Sequence, residues 1–142
     1  MKRIFFIIIL FVFSAVFTAC SKEKDLLTDN KWRLVGFVDA ETETIKEVYP
    51  TDDWCYTLTF KKNGKCSGST SSNTFEGKYK INYNKHSIHI STTRITVANE
   101  WTDGNIYAES LFEANAFSIQ EDKLKLYYNN KQNYLLYKSQ EL

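Results

Sequence analysis

The residues with chemistry to offer are few, since the chain has 3 cysteines and 2 histidines among its 142 residues. His86 and His89 lie three apart in a stretch that reads as a strand, where neighbouring side chains alternate between faces. They point apart, and no cysteine or carboxylate cluster nearby keeps metal-ligand spacing. Gly64-Lys65-Cys66-Ser67-Gly68 has the outline of a nucleophile elbow, but that turn centres on serine and joins a strand to a helix. Here Cys66 is central and both flanks read as strand. Asp52, Asp53 and Trp54, and separately Tyr127, Tyr128, Tyr134 and Tyr137, are types that stack on sugars; tyrosines in closing strands serve more often in the core or on the sheet surface. No enzyme, metal or cofactor is expected. Cys20 is left as the residue to which a definite chemistry, covalent modification of its thiol, is assigned.

What precedes Cys20 defines that chemistry. Lys2 and Arg3 open the chain, Ile4 to Val12 is wholly apolar, and small residues lead into the cysteine, the layout of a signal peptide. The apolar run falls short of the about 20 residues a transmembrane helix needs. Phe17-Thr18-Ala19-Cys20 resembles a lipobox, the site where bacterial lipoproteins are acylated, with palmitate-type chains, and cleaved; Phe17 departs from it, standing where leucine is usual. Residues 1–19 are then a lipoprotein signal peptide, 20–30 a lipidated cysteine and tether, and 31–142 the folded domain. Each buried methylene contributes about 0.8 kcal/mol, so several acyl chains give lasting membrane attachment. Ser21 rather than Asp follows Cys20, and the resemblance to sorted lipoproteins favours the outer membrane, with the periplasmic or surface side left open. Cleavage leaves about 120 residues, room for one domain. It also shifts the formal charge from +1 to about −1, which supplies no bulk basic face for nucleic acid.

Cys55 and Cys66 remain in a compartment that permits a disulfide. Both fall in one expected hairpin turning at Asn63-Gly64, with Cys66 opposite about Lys61. Cys55 is then roughly 20 Å away at about 3.3 Å per residue, beyond the about 7 Å Cα limit of a bridge. Two separately buried thiols are expected.

The elements that position these residues are mostly strands. Lys31 to Val38 is β-branched and aromatic, with Trp32 and Leu34 inward; Ile45 to Tyr49 reads as an edge strand stopped by Pro50. Tyr56, Leu58 and Phe60 alternate with threonines, and Asn63-Gly64 predicts a type I′ hairpin turn. Thr74 to Asn82 places Phe75, Gly77, Tyr79 and Ile81 on one face, and His86, Ile88, Ile90 and Thr92 share a face of the next strand. From Asp103 to Asn115 the period becomes helical, with Tyr107, Ala108, Leu111 and Phe112 in one stripe and Thr102 or Asp103 as cap. This is the single helix expected. Strands at 117–121, 123–128 and 133–138 close the chain. The fold class is α+β, predominantly antiparallel β, a barrel-like sheet or sandwich with one helix.

Trp32, Leu34, Leu58-Thr59-Phe60, the Asn63-Gly64 turn and above all Asn73-Thr74-Phe75-Glu76-Gly77-Lys78-Tyr79 together resemble the META domain of bacterial envelope lipoproteins. Ile90 to Arg94 is similar to the family's Thr-Arg segment, Glu109 and Phe112 to its helix, and Phe117 to Ile119 with Leu124 to Leu126 to its closing hairpin. Ser72 stands where a cysteine often precedes the asparagine, and none follows the Thr-Arg segment, so the family's disulfide is expected to be absent. The resemblance implies a small β-rich domain linked to envelope stress or surface roles, without an agreed reaction. Two functions follow as expectations: a membrane-anchored structural, stress or protein-interaction module with an envelope protein partner, or a lipocalin-like carrier enclosing a small apolar ligand.

Overall fold

The computed structural model describes residues 19–50 and 52–140. Residues 1–18, with most of the proposed signal peptide and lipobox, lie outside the described residues. The strands run in chain order: β1 (Lys31–Asp39), β2 (Ile45–Glu47), β3 (Thr57–Phe60), β4 (Lys65–Ser69), β5 (Thr74–Asn82), β6 (Ser87–Ile95), β7 (Ala116–Gln120), β8 (Lys123–Tyr128) and β9 (Asn133–Gln140). Each pairs antiparallel with its neighbour, and β1 pairs β9 along its length, so the sheet closes on itself. β9 occupies one edge of β1, while β3 and β2 divide the other between Lys31–Arg33 and Gly36–Val38. The expected α+β, barrel-like architecture is the one found.

Among the described residues two helices, not one, complete it. Helix α1 covers the described residues 19 to 28, where a short tether is expected. Leu27 at its end has no exposed surface, and its carbonyl accepts the indole N–H of Trp32 at 3.0 Å. Asn30 Nδ2 donates to Leu26 O at 2.8 Å. Two carbonyls that α1 leaves without intrahelical partners are thereby satisfied. Helix α2 (Gly104–Glu113) lies along the weakest seam of the barrel. There β6 and β7 share only the Ser87–Ala116 pair and two flanking bonds, Ile88 N–H to Asn115 O and Phe117 N–H to His86 O. Its stripe behaves as the period predicts: Tyr107 and Leu111 are buried in the core and Phe112 packs edge-on against Phe75. Asp103 is the N-cap residue but makes no capping bond; its carboxylate is held by Lys46 Nζ at 2.6 Å.

The barrel is filled along its axis by Trp32, Tyr56, Phe60, Tyr107 and Tyr137, all at most 2% exposed, with leucines and isoleucines between them. Tyr137 O–H donates to Tyr107 Oη at 3.1 Å, which satisfies the polar tip of a wholly buried ring.

Three local expectations change. Asn63-Gly64 does not form the two-residue type I′ turn: Gly64 N–H bonds Lys61 O, Lys61 N–H bonds Lys65 O, and Gly64 alone has positive φ, +81°. This is a type I turn followed by a bulge at glycine. The longer loop moves the register, so Cys66 faces Phe60 rather than Lys61. Finally, β6 carries an extra residue, Thr93, between the Gly77–Thr92 and Glu76–Arg94 pairs. A bulge inverts alternation; Arg94 therefore leaves the face of Ile88 and Ile90 and joins Glu76 outside.

Candidate functional site

The barrel wall made by β1, β3, β4, β5 and β6 carries a groove of about 540 Å³ on its outer side. Its floor is low because β4 sends only the short side chains of Ser67 and Ser69 to this face; Gly68 between them faces inward, where a Cβ would lie 2.2 Å from Thr57 O and 2.6 Å from the Phe75 ring. Register sorts the groove into two cross-strand rows. One reads Lys31–Thr59–Ser67–Glu76–Arg94, each residue directly opposite the next. The other reads Arg33–Thr57–Ser69–Thr74 and continues to Thr96, whose Oγ1 accepts Thr74 N–H at 3.0 Å.

Nearly all of the second row is bonded within the fold. Arg33 donates to the carbonyls of Asp53 at 3.2 Å and Asp52 at 3.0 Å and lies 3.5 Å from the Asp53 carboxylate. Ser69 Oγ–H donates to the carbonyl of Trp54, and Thr57 Oγ1, 2.8 Å from Ser69 Oγ and 3.2 Å from the same carbonyl, shares its single proton between the two. These bonds fix the turn at 52–55, closed by Cys55 N–H on Asp52 O. They leave the Trp54 indole on the rim of the groove, 43% exposed.

Beyond Ser69 the wall ends in a polar knot. Asn73, buried, uses its whole amide: Nδ2 donates to Ala98 O at 2.9 Å and Glu100 Oε1 at 2.6 Å. Its Oδ1 accepts from Thr96 Oγ1 at 2.9 Å and Ala98 N–H at 2.7 Å. The Glu100 carboxylate also accepts from Thr70 Oγ1 at 2.5 Å, Ser71 Oγ at 2.6 Å and Ser72 N–H at 3.2 Å. Burial pushes its pKa upward, but the bonds from Ser71, Thr70, Asn73 and Ser72 together outweigh that and hold the carboxyl below its ordinary value of 4.5. Gly104 closes the knot, since a Cβ there would meet Glu100 Oε2 and Ser71 Oγ at 2.2 Å. No pattern in the sequence marks Glu100; its partners lie 27 to 30 residues away.

The Asn-x-aromatic-x-Gly-x-Tyr motif is thus spent on structure. Asn73 ties the loop before α2, Phe75 enters the core, Gly77 lets Ser91 O and Cys66 Sγ approach, and Tyr79 packs edge-on against Phe60 while donating to Lys61 O at 2.8 Å.

The remaining sequence candidates are dispersed. Cys66 is buried, and burial pushes its thiol up to about 11, the opposite of what a nucleophile requires. Cys55 is also buried and donates Sγ–H to Ser71 O at 3.3 Å. With Cys66 opposite Phe60, Cys55 is about 17 Å along the strand direction, and the two remain separate thiols. His86 sits in the turn before β6 at φ +49°, 3.7 Å from Glu23, whereas His89 lies opposite Lys80. Among the described residues no group of three metal-ligating side chains comes together. The tyrosines divide as well. Tyr137 is in the core, while Tyr134 donates to Glu43 Oε2 at 2.5 Å beneath Lys125, whose Nζ is 4.5 Å from the ring centroid, with Tyr127 against it at 5.3 Å. Burial, then the Glu43 carboxylate, drives the Tyr134 phenol well above its usual pKa. Cys20, on α1, directs Sγ toward Asn84 Oδ1 at 3.6 Å. No helix among the described residues is long and apolar enough to cross a membrane.

A closed antiparallel barrel, plugged by its own side chains and carrying one helix in its seam, is the class of protein this fold defines. The META domain family model matches residues 25–141, and the chain belongs to that family. It is 28% identical over 132 residues to a protein of Tannerella forsythia that bears a provisional lipoprotein name, covering 85% of this chain and 84% of the other. In fold it is similar to a DUF4847 family protein from Bacteroides vulgatus, with TM-score 0.68, 17% identity and coverage of 84% and 99% of the two chains. A protein from Burkholderia xenovorans follows at TM-score 0.59 and 22% identity, covering 82% and 85%.

Proposed function

We propose that this META-domain protein is a lipid-anchored, non-enzymatic module of the bacterial cell envelope, held at the outer membrane through Cys20 and presenting its barrel wall to other envelope components. The observation that carries the reading is the docking of α1. Cys20 lies in a helix whose Leu27 is sealed into the core, and seven residues of helix span only about 10 Å. A lipid on Cys20 therefore holds the barrel against the bilayer with little slack, at the end bearing the β3–β4 and β5–β6 turns, where Lys62 pairs with Asp25 and Asp29 of the α1 segment at 3.5 Å each. The signal-like segment and lipobox-like Phe17-Thr18-Ala19-Cys20 support the lipid, Ser21 supports the outer membrane, and the relative's name supports the envelope. The raised Cys66 thiol and the separated histidines support a role without chemistry.

Metabolic labelling with radioactive palmitate tests the anchor. Label is expected on the wild-type chain and not on Cys20→Ser; label on both, or on neither, overturns the reading.

A further inference from the structure

We infer that the open row of the groove binds a carboxylated polysaccharide, one whose sugar rings carry hydroxyls and an occasional carboxylate. Lys31, Thr59, Ser67, Glu76 and Arg94 stand opposite one another across five adjacent strands. Among the described residues none of the five side chains has a hydrogen bond or ion pair, whereas in the adjoining row Arg33, Thr57, Ser69 and Thr96 are bonded within the fold; Lys65 and Lys78, the next pair outward, are likewise uncommitted and add positive charge beside the row. Arg94 and Glu76 face each other without pairing, and the bulge at Thr93 is what sets Arg94 there.

The row dictates the ligand. Four strand spacings of about 4.8 Å put Lys31 and Arg94 about 19 Å apart, too far for one small anion but suited to two anionic groups on a chain laid across the strands. Between them Thr59, Ser67 and Glu76 offer two hydroxyls and a carboxylate, the groups that exchange hydrogen bonds with ring hydroxyls. Glu76 repels a polymer with anions at every position, such as nucleic acid, and accepts from neutral hydroxyls. Arg94 matches a carboxylate in bidentate geometry. Trp54 on the rim supplies the flat apolar face on which the C–H face of a sugar rests. The inference adds a ligand to the envelope module proposed above and rests on that reading only for where the two meet.

The test is titration of the purified full chain in detergent, in a Trp101→Phe background so that Trp54 is the exposed indole, with tetragalacturonate and with its neutral methyl ester. Trp54 emission is expected to shift with the acid form, and the methyl ester is expected to bind at least about tenfold more weakly, as does the acid form to Arg94→Gln or Lys31→Gln, the loss of one charge-assisted contact. Circular dichroism checks that the variants remain folded. Absence of binding at millimolar acid form, equal binding of the ester, or affinity unmoved by both substitutions overturns the inference. Tighter binding of a sulfated oligosaccharide overturns the carboxylate assignment. Palmitate labelling is read independently, so failure of the anchor and failure of the groove are told apart.

Discussion

Two polar regions lie on one barrel wall, and they differ in what their side chains are bonded to. At one end, Asn73 and Glu100 share donors and acceptors until no capacity on the amide is left. On the same wall, the row from Lys31 to Arg94 has no side-chain hydrogen bond or ion pair among the described residues. The knot has the residue types that suggest chemistry, a partly buried carboxylate ringed by hydroxyls, yet its bonds are all internal and its function is to fasten the loop before α2 to the strands. The row has commonplace surface residues, and its groups are available. Commitment of hydrogen bonds, more than residue type, separates structure from recognition here.

The sharpest way to break this contrast is Asn73→Asp. The substitution removes both Nδ2 donors and sets a second carboxylate against Glu100 Oε1. Loss of buried hydrogen bonds at about 1–3 kcal/mol each, with like-charge repulsion added, predicts destabilisation of more than about 3 kcal/mol, read as a lowered urea midpoint at unchanged slope. A loss below about 1 kcal/mol would show that the knot does not hold the loop.

The second effect depends on pH. Glu100 has a folded pKa below its ordinary 4.5 because the hydroxyl, amide and backbone donors outweigh burial. A group depressed in the folded state contributes stability that is present above its unfolded value and is lost as pH falls through the folded one. Stability is therefore expected to decline below about pH 4.5, and Glu100→Gln, already weaker at neutral pH, is expected to decline less steeply. Asp39 is also depressed, chiefly by the backbone N–H of Thr42, so a residual acid slope in the variant is expected. Identical slopes from pH 5 to 3 in variant and wild type would remove Glu100 from the account.

Within the knot one group is out of place. Ser72 Oγ is buried with no partner among the described residues. Since a buried unsatisfied hydroxyl costs free energy and its removal leaves nothing else unpaired, Ser72→Ala is expected to be neutral or to stabilise by up to about 1 kcal/mol in thermal melts. A loss above about 1 kcal/mol would mean that Ser72 is bonded after all.

Alternation made the strands legible. Phe75, Gly77, Tyr79 and Ile81 lie on one face, as the alternation predicts, because a half-buried strand repeats every second residue. Tyr107 and Leu111 of α2 were legible for the same reason at the helical period. What escaped were features set by partners distant in sequence. The α1 segment is too short and too charged to show a period, and it is helical against the barrel because Leu27 finds a pocket and Trp32 a carbonyl. The bulge at Thr93 has no local signature, and without it neither Arg94 nor the row can be placed. Asn63-Gly64 supports two loop lengths equally well, and only the pairing of Phe60 with Cys66 distinguishes them. Asn73 opens the motif, but its contacts run 25 and 27 residues forward to Ala98 and Glu100, beyond any local pattern. Trp54 was named as a stacking residue, but the hydroxyl floor beneath it comes from strands that share no local motif.

The smallest effect is the most discriminating for the contrast. Side chains without a hydrogen bond or ion pair contribute little to folding, so Lys31→Gln, Glu76→Gln and Arg94→Gln are each expected to change unfolding free energy by less than about 0.5 kcal/mol, and the triple variant by no more than about 1, since none of the three side chains bonds another. Because Arg94 and Glu76 face each other unpaired, the double change should equal the sum of the singles, with a coupling energy near zero. Measured coupling above about 1 kcal/mol would convert the row into a second structural network like the knot. Additivity near zero, together with a loss of oligosaccharide binding in the same variants, would assign these residues to recognition, since they would then matter to a ligand and not to the fold.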